Sequence, residues 1–258
     1  MDPLEFKAGL DRANDRFLTG SGRIAGLTLF TDYARIVFDL HGGRSKYLKN
    51  YTTEEIKGYA DIFPDLKPYI DRYGPREGYW RWTRSLPRKL NRLLYHQLLV
   101  FLVTIFEAFI ADVLLVVFHR EPRCLSTGKT ISWEKVIDLG NYESMIDYFA
   151  CEKVADILSG DWYNIVDEFN NLFNINLSDD IDGRSVTEIF EIRHAVVHNV
   201  ALTDQRFISK VGASEWGLKY DINKEIVINQ QALKRMTNYI EYAAYCIYET
   251  LLKKFGAG

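Results

Sequence analysis

The chain has 258 residues, 47% hydrophobic and 26% charged, a balance that excludes whole-chain disorder and supplies enough apolar side chains for a sizeable core. Lys+Arg number 32 against Asp+Glu 35, a formal charge of -3, so no global basic field advertises nucleic acid and any such partner has to be held by a local patch. Cys124, Cys151 and Cys246 are scattered with no C-x-x-C, so neither a disulfide framework nor a thiolate zinc site can be read from them, and reduced thiols in a cytoplasmic protein are expected.

Helical periods dominate, and six prolines leave room for long helices. Met1-Asp2-Pro3-Leu4-Glu5 carries acidic residues where a signal peptide carries basic ones, so secretion is not expected, and the first forty residues read as one or two amphipathic helices. Gly42-Gly43 is the expected break. Thr52 or Thr53 with Glu54 and Glu55 reads as a helix start, and Pro64, Pro68 and Gly74-Pro75 punctuate the stretch beyond it. Ser85 suits the cap of a long helix through Phe118, with Pro87 in its first turn. Residues 133–158 and 162–173 read as two more helices. Strands are expected near 217–220 and 225–228, joined through Asp221-Ile222-Asn223-Lys224 as a hairpin, before a final helix over 231–255. The fold class is therefore all-α with one small β-hairpin.

Residues 98–118 are long and apolar enough to span a bilayer. Glu107 and Asp112 sit near the centre, where a carboxylate costs roughly 3 kcal/mol on insertion scales. His96 and His119 supply no strong basic flank. We therefore expect a core helix and no membrane partner, which makes Glu107 a buried or interfacial carboxylate in need of a cation.

The chemistry is concentrated in Ser185-Val186-Thr187-Glu188-Ile189-Phe190-Glu191-Ile192-Arg193-His194-Ala195-Val196-Val197-His198-Asn199. Ser185 and Glu188 have capping-box spacing, so the helix should begin at Val186, and Asn199 suits its C-terminal cap. At about 100° per residue, Val186, Ile189, Phe190, Val196, Val197 and Val200 share one face, with Arg193 in its middle. An arginine there must be paired, and Glu107 is the expected partner. His194 and His198, four apart, share the edge of that face. Helical geometry alone favours a structural Arg–Glu pair beside two ordinary surface histidines.

Arg193-His194-Ala195-Val196-Val197-His198 fits R-x4-H with a polar residue directly after the arginine, and in this it resembles the signature of the HEPN superfamily. Phe106-Glu107-Ala108-Phe109 in an apolar helix is similar to the first core helix of that fold. The C-terminal hairpin and Tyr-rich helix resemble the end of RiboL-PSP-type HEPN proteins of prokaryotic conflict systems. The resemblance implies a HEPN-type helical bundle over residues 85–258, preceded by a helical extension over 1–84. It also implies a homodimer that brings two motifs together and metal-independent endoribonuclease activity, in a toxin or antiviral defence effector with an antitoxin or sensor protein as a further partner. Cleavage of RNA by its own 2′-OH needs an acid, a base and a cation for the developing phosphorane charge. On this reading His198 from two subunits shares acid and base work, Arg193 holds phosphate, His194 orients it, and Glu107 orients Arg193, with Asn199 in support. No metal and no cofactor is expected. The alternative is a non-catalytic HEPN module that binds RNA, a nucleotide or a partner protein.

Other signals compete. Glu191, His194 and His198 have E-x2-H-x3-H spacing, which suits zinc, but H-E-x-x-H and a fourth ligand are absent. The run 178–183 hints at a calcium loop and fails at Ile189, where a bidentate glutamate belongs. Arg76, Arg81, Arg84, Arg88, Lys89 and Arg92 are interleaved with Tyr79, Trp80 and Trp82, either a surface for single-stranded RNA or a solvated helix start with tryptophans in the core. Tyr239, Tyr242, Tyr245 and Tyr248 recur as a packing stripe. Phosphate-binding and serine-hydrolase motifs are absent.

Overall fold

The computed structural model describes residues 1–40, 52–62, 64–125 and 130–256. Gly42-Gly43 lies outside them. The described residues are predominantly helical: α1 (Pro3–Leu40), α2 (Thr53–Ile62), α3 (Lys67–Tyr73), α4 (Pro75–Arg120), α5 (Trp133–Leu139), α6 (Tyr142–Leu158), α7 (Trp162–Phe173), α8 (Gly183–His198), α9 (Gln205–Val211) and α10 (Gln230–Phe255). Reciprocal capping boxes open α1 and α2. Asp2 Oδ1 accepts from the Glu5 amide at 2.8 Å while Glu5 Oε2 accepts from the Asp2 amide, and Thr52 and Glu55 repeat the arrangement.

Two expected boundaries move for local reasons, and one expected element is missing for a non-local one. The helix expected after Ser85 begins at Pro75, because Gly74 at φ 78° ends α3 and proline fits the first helical position, where no N–H is needed. The single helix expected over 133–158 is two, since Gly140 at φ 72° stops α5 and Asn141 caps the Ser144 amide to start α6. Among the described residues there is no strand, so the expected hairpin is absent. The Ser214 hydroxyl accepts from the Trp216 and Leu218 amides, and the turn at Asp221–Lys224 pairs instead with the chain after α8. There the Thr203 amide donates to Lys224 O at 3.0 Å, the Ile226 amide donates to Ala201 O at 2.8 Å, and Leu202 and Glu225 form one antiparallel bridge.

Two compact units result. One comprises Met1–Ala25 with Leu98–Gly258, the other Gly26–Gln97. The first 25 residues thus share a body with the C-terminal region, and the boundary expected at 84/85 falls inside the continuous α4. In the larger unit α1 runs antiparallel to α4. A Cβ on Gly9 would stand 3.0 Å from Val116 Cγ1 and one on Gly20 would stand 3.0 Å from Ile105 Cδ1, so these glycines allow close approach of the helices. Phe17 packs on Phe109 at 5.3 Å between centroids, Phe106 on Trp162 at 6.1 Å and Phe118 on Phe173 at 5.8 Å. Burying each such ring contributes roughly 1.5–3 kcal/mol. Arg92–Arg120 is long and apolar enough to cross a membrane, yet Leu99, Leu102, Phe106, Ile110, Val113 and Val117 within it are buried in the fold.

In the smaller unit Tyr59 stacks on Tyr79 at 5.9 Å and Tyr79 contacts the buried Trp82. Gly78 is required there: a Cβ would fall 2.4 Å from Tyr69 O.

Candidate active site

The helix that carries the motif starts earlier than its capping box predicts. Asp182, not Ser185, is the N-cap, accepting from the Arg184 and Ser185 amides and, at 2.7 Å, from the Ser185 hydroxyl. Burial pushes the Asp182 carboxyl up, but the Ser185 hydroxyl and the two amides outweigh it and hold the group below its ordinary value. Ser185 therefore supports the cap, and Glu188 is released for other work. Glu188 is 2% exposed and accepts from the Ser214 hydroxyl at 2.5 Å, the Tyr220 hydroxyl at 2.5 Å and the Glu215 amide at 2.8 Å. Burial and then the bond to Glu188 hold the Tyr220 phenol far above its ordinary range.

Two acids thus occupy the inward face of α8 alongside Val186, Ile189, Ile192 and Ala195. The apolar face expected from periodicity is displaced: Val197 is 49% and Val200 82% exposed. Arg193 lies at the flank. Its Nη2 is 3.4 Å from Glu107 Oε2, with side chains 31% and 25% exposed, and its buried Nε has no hydrogen-bond partner. Burial raises the Glu107 carboxyl above its ordinary value and Arg193 pulls the other way. A single contact this open is worth roughly 1 kcal/mol or less, well under the 3 kcal/mol or so of a fully buried pair.

The two histidines stand on a different side of α8. Their rings are 4.7 Å apart, on the wall of an open cleft of about 240 Å³ lined also by Glu191, Asn199, Asp204, Arg206 and Phe207. Arg193 does not line it. Arg206, from α9, places Nη1 3.0 Å from His194 Nε2. A guanidinium only donates, so this nitrogen accepts and the neutral tautomer carries its proton on Nδ1. Burial first, then the charges of Arg206 and His198, lower the affinity of His194 for a proton, with Glu191 opposing. Glu191 is 8% exposed and held by Lys210 at 2.7 Å, with Arg206 at 3.7 Å.

The helix α8 ends at His198. Asn199 is the C-cap, its amide donating to Ala195 O and its Nδ2 to Leu202 O at 2.7 Å. Val200 and Ala201 come next at φ 50° and 60°, left-handed values that cost roughly 1–3 kcal/mol each in residues other than glycine. The pairing of Ala201 and Thr203 with residues 223–226 overrides that cost.

Of the expected site residues, then, His194, His198 and Asn199 share one cleft, and Arg193 and Glu107 form a separate pair. Arg81 is committed elsewhere, bonded to Glu77 at 2.6 Å and set over the Tyr73 ring at 4.3 Å. Arg92 is exposed, and the side chains of Arg84, Arg88, Lys89 and Trp80 lie outside the described residues. The tyrosines of α10 divide: Tyr239 donates to Asp182 O and Tyr248 to Asp11, whereas Tyr242 and Tyr245 are about half exposed. Among the described residues no group of three or more His, Cys, Asp or Glu side chains is arranged to hold a metal, and Glu191 is bonded to Lys210. Sequence reasoning missed Arg206 and Lys210. The one local signal was Asp204 as an N-cap, accepting from the Phe207 amide.

No protein-family model, no curated protein and no solved structure matches the chain.

Proposed function

We propose that this protein is a metal-independent endoribonuclease of the HEPN type, a cytoplasmic homodimer acting as a toxin or antiviral effector. The observation that carries the reading is the His194–His198 pair on an open cleft with a guanidinium against it. A histidine takes or gives a proton near neutral pH, and a preorganised cation stabilises the charge that builds on a phosphorane. In the proposed reaction the RNA 2′-hydroxyl gives its proton to one His198 imidazole as O2′ bonds to phosphorus. The P–O5′ bond breaks, and the 5′ oxygen takes a proton from the second subunit's imidazolium, leaving a 2′,3′-cyclic phosphate. Arg193, oriented by Glu107, is assigned to the phosphate across the two-fold axis.

A second reading, a non-catalytic HEPN module that binds RNA, a nucleotide or a partner protein, is favoured by the position of Arg193 outside the histidine cleft. Incubation with single-stranded RNA in excess EDTA separates the readings. Continued cutting supports the ribonuclease. RNA bound and left intact supports the module, and activity lost to EDTA but restored by zinc replaces the mechanism with a metal-dependent one.

A further inference from the structure

The R-x4-H motif accounts for two histidines but leaves their cleft without a motif cation, since Arg193 is turned to Glu107. We infer that Arg206 is the phosphate-binding residue of the His194/His198 cleft, contacting the RNA backbone from the same chain that supplies the imidazoles. This rests on the ribonuclease reading for its substrate, although phosphate recognition here needs no cleavage.

Four observations converge. Arg206 lines the cleft and its side chain is 54% exposed, so a ligand can reach it. Its contacts are weak competitors. His194 Nε2 is a neutral acceptor at 3.0 Å, and Glu191 stands at 3.7 Å, too far for a hydrogen bond. A guanidinium carries more N–H donors than these contacts use, and its planar fork matches two phosphate oxygens. Glu191 is already satisfied by Lys210 at 2.7 Å, so it aims the arginine without neutralising it. Asp204, the remaining acid in the cleft lining, is engaged as the cap of α9 by the Phe207 amide at 2.7 Å.

The arrangement also couples binding to the histidine. When a phosphate draws Arg206 away from His194 Nε2, that nitrogen loses a donor and gains an anionic neighbour, and both changes favour protonation. His194 would then be a second donor to the same phosphate. Glu191 and Lys210 are positioning residues in this scheme, because they touch the arginine or its carboxylate neighbour and not the ligand.

The test uses the full-length protein and a single-stranded 2′-O-methyl RNA, which binds but offers no free 2′-hydroxyl for attack. Arg206→Ala is expected to weaken binding by about tenfold or more and to reduce the salt dependence by roughly 0.7 in the log–log slope, the share of one phosphate contact on a single strand. Arg206→Lys should retain the slope while losing part of the affinity, since the charge stays and the fork is lost. The His194 imidazole should titrate higher in Arg206→Ala without RNA, since the charge that opposes its protonation is gone. Affinity within twofold of wild type for a folded Arg206→Ala protein overturns the assignment, as does a wild-type protein with no affinity for this RNA. If the wild type binds through Arg206 yet cuts no unmodified RNA, the ribonuclease reading fails and the phosphate site stands. If it cuts RNA and Arg206→Ala alters neither KM nor kcat, the phosphate site fails and the ribonuclease stands.

Discussion

Replacing Glu188 by alanine should destabilise the fold by about 3 kcal/mol. The side chain is 2% exposed and accepts from two hydroxyls and one amide. Bonds to a charged acceptor are worth about 1.5–3 kcal/mol each, so three would suggest more. Two terms reduce the loss: removing the carboxylate recovers its own desolvation cost, and the Ser214 and Tyr220 hydroxyls can turn to other partners. The Glu215 amide, part-buried on an otherwise exposed residue, cannot turn, and leaving it without its acceptor costs about 1 kcal/mol. Glu188→Gln should cost less, roughly 1–2 kcal/mol, because its oxygen can keep the Glu215 amide while its NH2 can donate to the Tyr220 hydroxyl, and only the Ser214 hydroxyl, which already accepts from two amides, loses its acceptor. Denaturant unfolding with unchanged m measures both. A loss of only about 1 kcal/mol for Glu188→Ala would refute the network and restore the capping-box role, whose size it would match. The damage should reach the site, since Tyr220 packs edge-on against Phe207 at 4.9 Å on the helix that carries Arg206.

Asp182→Ala should cost about 1 kcal/mol as a lost N-cap. Because the folded carboxyl titrates below its ordinary value, that contribution is complete above the unfolded pKa near 3.9 and fades as pH falls through the folded one, so wild type and variant should converge in acid unfolding curves. Val200→Gly should stabilise by about 1 kcal/mol, the relief of a left-handed valine less the entropy of glycine, with little burial lost at 82% exposure. A thermal midpoint lowered by the change would count against that backbone conformation. Dimers of one wild-type and one His198→Ala chain should lose nearly all cleavage if the two motifs form one composite site. Half activity would indicate independent sites.

Whether a feature was legible in the sequence depended on how local its interactions are. The bounds 162–173 of α7 could be read directly, because Asp161 caps one end, Asn174 closes the other at φ 50°, and its apolar residues keep the helical period. Chemistry along one helix was equally readable: His194 and His198 are neighbours because i and i+4 always are. The pairing of Arg193 with Glu107 could be anticipated from two charges in apolar settings, but its exposure could not. What periodicity could not supply was the destination of polar groups. Glu188 and Glu191 face inward because Ser214, Tyr220 and Lys210 reach them from far along the chain. The hairpin failed for the same reason: residues 223–226 bond to Ala201 and Thr203, which no pattern within residues 217–228 reveals.

The proposal that His198 belongs to an RNA-cutting site is tested by comparing wild type with His198→Ala on an end-labelled single-stranded RNA, in EDTA, with the new ends identified. Wild type should leave 2′,3′-cyclic phosphate ends, and a folded His198→Ala dimer should cut more slowly by on the order of 100-fold or more. RNA left intact by the wild type, or cut equally fast by the variant, would contradict the proposal.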